Sequence, residues 1–203
     1  MARVHRINGF ATISPCRLYR YELGGDLVSN HEFKRRQREA PEAQLDLQVA
    51  ATRRELATVA PPRTLLVIMW NPSKANAIDT DPTITRCNCY AYDWGFRRIL
   101  VGNANAFRAT YPQDMAAAAA RGVDIVGPEN DRYLRSMMER ASMVLVVWGA
   151  ELARERALEV QAIARAAGVQ LMCLNTNKDG SPVHPLYQNK SLTPKAWIPT
   201  GDR

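Results

Sequence analysis

Apolar and polar residues follow one another along the chain in short blocks that indicate strands and helices in turn. Residues 16–29, CRLYRYELGGDLVS, alternate apolar and polar positions around Gly24-Gly25, the pattern of a β-hairpin. Four later segments are short apolar runs, which are typical of strands buried on both faces of a sheet. These predicted strands cover residues 65–70, 98–102, 142–148 and 169–175.

Segments with helical spacing or composition separate these strands and precede the first of them. The predicted helices cover residues 41–59, 83–94, 114–122, 128–141 and 150–168. Strands alternating with helices predict a single α/β domain over residues 1–203. We expect three α/β/α layers with a central, mostly parallel four-stranded sheet, an N-terminal β-hairpin, and a basic, helical insertion at residues 30–62.

The ends of the predicted strands carry most of the polar side chains that could perform chemistry. In parallel sheets the ligand site lies outside the carboxyl ends of the strands, so these loops should meet. The polar residues in the loops are Asn71, Ser73, Asp79, Asp81, Asn103, Asn105, Asn175, Asn177, Lys178, Asp179 and His184. His184 alone of the three histidines lies in such a loop, which favours a catalytic over a structural role.

Three of these candidates have structural alternatives that the sequence leaves open. Asn71 precedes a proline and could simply begin a turn. Asp81 stands before Pro82 and could cap a helix instead of acting on a substrate. Trp148 could belong to the core rather than stack on a ligand.

The charge and composition bound the class of partner. The net charge of +7, from 27 Lys and Arg against 20 Asp and Glu, suits a polyanion such as DNA. The basic run at 31–39 could contact phosphates or be an exposed insertion without a partner. No apolar run approaches the roughly 18 residues of a membrane span, and the N-terminus lacks a signal-peptide core. The four cysteines follow no disulfide or zinc spacing, so we expect reduced thiols in a cytoplasmic protein. We expect no membrane contact; the sequence leaves the oligomeric state open and slightly favours a monomer.

Several enzyme classes are disfavoured because their motifs are missing. The chain contains no Walker loop, GxGxxG, HExxH or GxSxG sequence. It also lacks clustered Cys and His residues, so we expect neither a metal nor another cofactor.

Six segments together resemble a bacterial and phage family known as domain of unknown function 1643. They are YRYELGG, IMWNPSKANAIDTDPTITRC, WGFRRILVGNANAFRAT, GPEND, VVWG and DGSPVHPLY. The resemblance spans nearly the whole chain except residues 30–62, and it implies no activity.

A more distant similarity is to the uracil-DNA glycosylase superfamily, whose members share a parallel α/β sheet. The segment MWNPS resembles the Gly-Ile-Asn-Pro-Gly motif of the mismatch-specific branch, with Asn71-Pro72 on its Asn-Pro. VGNANAF, with Asn103, resembles the asparagine-bearing middle loop, and LVVWGAELARE resembles the later strand that ends in Trp-Gly or Leu-Gly. His184-Pro185 matches the start of the His-Pro-Ser-Pro motif.

Two departures from that pattern concern the first and last motifs. Met69 stands where the first glycine would be. Leu186-Tyr187 replaces the Ser-Pro pair, so the serine that would bind a strand phosphate is absent.

The resemblance implies a glycosylase that cleaves the N-glycosidic bond of a flipped pyrimidine in DNA. By it, His184 donates to the leaving base, Asn71 orients the water or contacts the base, and Asp81 or Asp79 stabilises the cationic sugar. The residues expected to bind the substrate are Trp70, Pro72, Ser73, Asp79, Asn103, Phe107, Trp148 and Tyr187. Those expected to bind nucleic acid are Lys34, Arg35, Arg36, Lys74 and Lys178.

The residue after the first motif bears on the choice of base. Many uracil enzymes have a tyrosine there that excludes a 5-methyl group, whereas Ser73 follows Pro72 here. A small side chain leaves room, so we expect a 5-modified pyrimidine. Two alternatives remain: a non-catalytic nucleic-acid or nucleotide-binding protein of the same fold, connected with phage or defence, and an interaction protein that docks through residues 31–62.

Overall fold

The structure is a computed structural model that describes residues 4–39, 62–73 and 81–199. Its strands are β1 (Val4–Ile13), β2 (Arg20–Ser29), β3 (Thr64–Met69), β4 (Arg98–Asn103), β5 (Met143–Val146), β6 (Leu171–Cys173) and β7 (Lys195–Ala196). Its helices are α1 (Asn30–Glu39), α2 (Pro82–Asp93), α3 (Pro112–Ala120), α4 (Asn130–Arg140) and α5 (Arg154–Ala166). The helix predicted at 41–59 lies outside the described residues, as do Lys74 and Asp79.

All described strands belong to one mixed sheet in the order β1-β2-β4-β3-β5-β6-β7. The four strands predicted from apolar runs are β3 to β6, and they pair in parallel at the centre. Antiparallel strands extend the sheet on both sides, with β1 and β2 at one edge and β7 at the other. The sheet is therefore wider than the four strands predicted.

The N-terminal hairpin exists, but its predicted turn is wrong. β1 and β2 are joined through residues 14–19, and Gly24 and Gly25 lie inside β2. A Cβ atom at Gly24 would lie 2.5 Å from Cζ of Phe10, and one at Gly25 would lie 2.5 Å from Cγ of Arg6. The two glycines therefore allow side chains of β1 to cross the strand closely, a role that glycine often has within a sheet.

Helices cover both faces of the sheet, which explains the unbroken apolar run of β3. Leu65 and Val67 pack on one face with Ile84 and Tyr90 of α2. Leu66 and Ile68 pack on the other face with apolar residues of α4 and α5. Successive side chains of a strand point to opposite faces, so a strand buried on both sides must be apolar at every position.

Within the ranges that the structure describes, no helix combines the length and the apolar character needed to cross a bilayer. The four cysteines are free thiols, and Cys16 is the exposed member of the set.

Candidate functional site

A cavity of about 340 Å³ lies at the carboxyl ends of β3 and β5. β3 leads to β4 on one side, and β5 leads to β6 on the other, so this is the point where the sheet's connections reverse direction. The cavity is lined by Arg20, Met69, Trp70, Asn71, Ser73, Asp81, Thr83, Ile84, His184 and residues 148–151. The structure thus brings Asn71, Asp81 and His184 to a single cavity.

Asn71 has a fixed amide orientation at the tip of β3. Its Nδ2 donates to the carbonyl oxygens of Ala109, at 2.8 Å, and Pro72, at 3.3 Å. The backbone amide of Ala109 donates a hydrogen bond of 3.1 Å to the carbonyl oxygen of the buried Pro72. Because two carbonyl groups face the Nδ2 atom, the Oδ1 atom of Asn71 is left as a hydrogen-bond acceptor.

Asp81 caps helix α2, the structural alternative that its sequence context suggested. Its Oδ1 accepts from the Ile84 amide at 2.8 Å, and its Oδ2 accepts from Ser73 Oγ at 2.6 Å. The carboxylate therefore joins the tip of β3 to the start of α2. The same carboxylate lines the cavity, where its negative charge also acts on neighbouring groups.

His184 stands at the rim of the cavity and is exposed. Loss of solvent around the ring lowers its pKa below 6.5, while the charge of Asp81 acts in the opposite direction. The imidazole is therefore neutral at pH 7 and offers one N–H donor and one acceptor nitrogen. The backbone of Gly149, at φ +79°, lies next to His184, since a Cβ atom built on Gly149 would be 3.7 Å from the Cβ atom of His184.

Arg20 is a member of the site that the sequence reasoning missed. It is 2% exposed, and burial lowers its pKa to about 10, with Asp81 opposing and Arg108 and Arg6 reinforcing the shift. The guanidinium stays charged at neutral pH and places a cation in the wall of the cavity. The available signal was a charged residue between two tyrosines in the alternating segment YRYELGG.

Asn103 is buried beneath the site rather than lining it. It is 1% exposed, and neither polar atom of its side chain has a hydrogen-bond partner in the part of the chain described. Val101 packs on the α2 face and Gly102 adjoins Met137 of α4, so the alternation of β4 directs Asn103 toward α2. Its Cα pairs with that of Met69, which lines the cavity.

Three predicted substrate contacts occupy different environments. Phe107 lies outside the cavity lining because its ring packs edge-on against Tyr19, with centroids 6.2 Å apart. Tyr187 is 90% exposed and also lies outside the lining. Trp148 is 2% exposed and packs edge-on against Trp197 in the core, while still lining the cavity.

The helix that carries the basic cluster, α1, begins at the end of the sheet opposite this cavity. β2 runs antiparallel to β4 and pairs Asp26 with Arg98, so α1 begins beside the amino ends of the parallel strands. Arg35 and Arg36 there form ion pairs with Glu32, at 3.0 and 2.7 Å. Lys34 on α1 and Lys178 after β6 are exposed.

Among the described side chains, no group of three or more His, Cys, Asp or Glu residues is arranged to hold a metal ion. Donors and acceptors that could bind a small organic group do converge, from Asn71, Arg20 and His184. The arrangement can therefore polarise a bound oxygen or orient a water molecule with protein groups.

Comparison with known proteins gives a family but no activity. No match was found among the curated proteins or the solved structures. The model of a protein family of unknown function, DUF1643, matches residues 53–186, about two thirds of the chain. This range contains β3 to β6 and all the cavity-lining residues except Arg20. The chain belongs to the DUF1643 family.

Proposed function

We propose that this protein is a hydrolase that cleaves the N-glycosidic bond of a pyrimidine extruded from DNA. The observation that carries the proposal is the convergence of His184, Asn71 and Asp81 on one cavity at the carboxyl ends of β3 and β5. The cavity volume of about 340 Å³ lies within the range of small-molecule sites. A sheet with parallel central strands and helices on both faces supports a uracil-DNA glycosylase-like architecture.

The groups in the cavity can stabilise the charges that develop on the sugar and the base during N-glycosidic cleavage. The breaking bond leaves positive charge on the sugar and negative charge on the departing base. His184, neutral at pH 7, donates its N–H to the base oxygen on which negative charge develops. Asp81 stabilises the cationic sugar electrostatically while it caps α2.

The attacking water needs an acceptor that holds it in place. Asn71 provides one, because its Nδ2 is engaged by backbone carbonyl groups and its Oδ1 is not. The carboxamide cannot turn over without losing the 2.8 Å bond to Ala109. A fixed acceptor lowers the entropic cost of orienting water in the transition state.

One further residue contacts the DNA around the extruded base in this proposal. Tyr187, 90% exposed and three residues after His184, stacks on DNA next to the vacated position. The net charge of +7 favours binding to the phosphate backbone.

The test is release of free base from synthetic duplexes that carry uracil, 5-hydroxymethylcytosine or glucosylated 5-hydroxymethylcytosine. We expect release from at least one duplex, with the rate reduced 10²-fold or more in His184→Ala. The matched control is His31→Ala, an exposed histidine on α1. Absence of release by the wild-type protein from every duplex would overturn the proposal.

A non-catalytic nucleotide-binding protein is the second candidate. It is favoured by Asp81, because both of its carboxylate oxygens already accept hydrogen bonds, and by the buried cation of Arg20. Such a protein would bind a nucleotide in the same cavity and leave it intact. Binding of uridine monophosphate that Arg20→Gln abolishes, without base release by the wild type, would favour this candidate.

A further inference from the structure

A second cavity adjoins the proposed active site. It has a volume of about 610 Å³ and lies between α3 and the beginning of α5. Trp70 and Glu151 line both cavities, so the two spaces share a wall formed by the loops after β3 and β5. The two cavities are therefore direct neighbours, on either side of Trp70 and Glu151.

The charged residues of the second cavity favour hydrogen-bond donors and cations over anions. Glu151, Glu155 and Glu159 contribute three carboxylates to its lining. The cation in the lining is Arg156, which is 6% exposed and already donates to Glu159, Asp131 and the carbonyl of Ala104. The cavity thus presents acceptor oxygens to a ligand and no available positive charge from its lining residues.

A buried carboxamide in the same cavity also indicates a ligand. Asn105 lines it, is 4% exposed, and makes no side-chain hydrogen bond to any residue that the structure describes. Its amide atoms are not among the sealed polar atoms that lack a partner, so the carboxamide faces the open space of the cavity. A bound group that offers hydrogen-bond donors would satisfy it.

We infer that the second cavity binds a bulky, donor-rich substituent of the extruded base. This inference rests on the proposed function and specifies its substrate class. Hydroxyl or ammonium groups would donate to Glu151, Glu155 and Asn105, while the indole of Trp70 packs against the apolar part of the substituent. The volume suits a group as large as a monosaccharide rather than a methyl group.

The experiment compares duplexes with one uracil-type base that differ at carbon 5. The substituents are hydrogen, glucosyloxymethyl for hydroxyl donors, aminoallyl for an ammonium donor, and carboxyl for an anion. Base release is measured for each, together with the affinity for the same duplexes made with a 2′-fluoro sugar, which resists cleavage. We expect glucosyloxymethyl, aminoallyl or both to exceed hydrogen at least tenfold, and carboxyl to be the poorest; whichever donor group is preferred identifies the source of the donors.

Variants link this preference to the cavity. Asn105→Ala and Glu155→Gln should each lower the donor-to-hydrogen ratio several-fold, whereas Glu139→Gln, an exposed change on α4, should leave it intact. Equal release of all four bases, or preference for carboxyl, would overturn the inference and leave the proposed function standing. If no base is released and no 2′-fluoro duplex is bound, the proposed function itself fails.

Discussion

Asp81 offers a substitution pair that separates its capping role from its electrostatic role. Asp81→Ala removes the acceptor for the Ile84 amide and the 2.6 Å bond from Ser73. Loss of an N-cap costs about 1 kcal/mol, and loss of the hydrogen bond to a charged group adds about 1 kcal/mol at this half-buried position. We therefore expect Asp81→Ala to lower the free energy of unfolding by about 2 kcal/mol.

Asp81→Asn keeps the shape and removes the charge. The asparagine oxygen can accept from Ile84, and Ser73 can turn its hydroxyl to accept from the new amide group. We expect the free energy of unfolding to change by less than about 0.5 kcal/mol, since asparagine caps helices as well as aspartate. The pKa of His184 should fall further, because the charge of Asp81 raises it in the native protein.

Urea unfolding measures the two stabilities, and an NMR titration of the His184 ring measures its pKa. The matched control is Asp114→Asn, which removes an exposed carboxylate from the first turn of α3 without touching a cap. Base release by Asp81→Asn should fall by 10²-fold or more if the charge stabilises the sugar. An unfolding energy for Asp81→Asn as low as that of the alanine variant, or an unchanged His184 pKa, would refute this reasoning.

Two further predictions concern stability. Asn130 is fully buried and donates to the carbonyl oxygens of Asn103 and Ala104 at 3.0 Å, so Asn130→Ala should lower the unfolding energy by about 2–3 kcal/mol, measured in urea. Gln37→Ala, which removes an exposed amide side chain from α1, is its control, and equal losses of unfolding energy in the two variants would contradict a stabilising role for the Asn130 hydrogen bonds. The folded-state pKa of His184 is lowered, so its contribution to stability is present above pH 6.5 and is lost as pH falls through the folded pKa. Unfolding between pH 5 and 7 should therefore depend less on pH in His184→Ala, and an unchanged slope would contradict this.

The hydrophobic pattern predicted the centre of the fold because burial on two faces leaves a direct mark on sequence. β3, at Thr64–Met69, and β4, at Arg98–Asn103, lie within about one residue of their predicted ends. Strands β5 and β6 are shorter than predicted, since Trp148 and Leu174 remain buried after these strands have ended. Apolar character reports burial, and it does not report where strand pairing stops.

The edges of the sheet were harder to predict because they depend on pairing between distant segments. Gly24-Gly25 reads locally as a turn, and its real role follows from the crossing side chains of Phe10 and Arg6. The antiparallel direction of β2 also places the start of Arg20–Ser29 beside the cavity and sends α1 to the opposite end. The sequence therefore indicated the residues of the parallel-strand tips and missed Arg20.

The site residues that the sequence did predict share one property, their position just after a parallel strand or at the start of the following helix. Asn71, Ser73, Asp81 and His184 converge for that reason. Phe107 also follows a strand, but its local pairing with Tyr19 turns it away from the cavity lining. The spacing of residues along the chain does not show which of two possible neighbours a side chain contacts.

The central claim is that water attacks the sugar and releases an intact base, and isotope labelling tests it most directly. The protein is incubated with a modified duplex in water enriched in oxygen-18, and both products are weighed by mass spectrometry. We predict free base and abasic strand in equal amounts, with no heavy oxygen in the free base. Heavy oxygen in the base, or a duplex that is bound and recovered unchanged, would contradict N-glycosidic hydrolysis at this cavity.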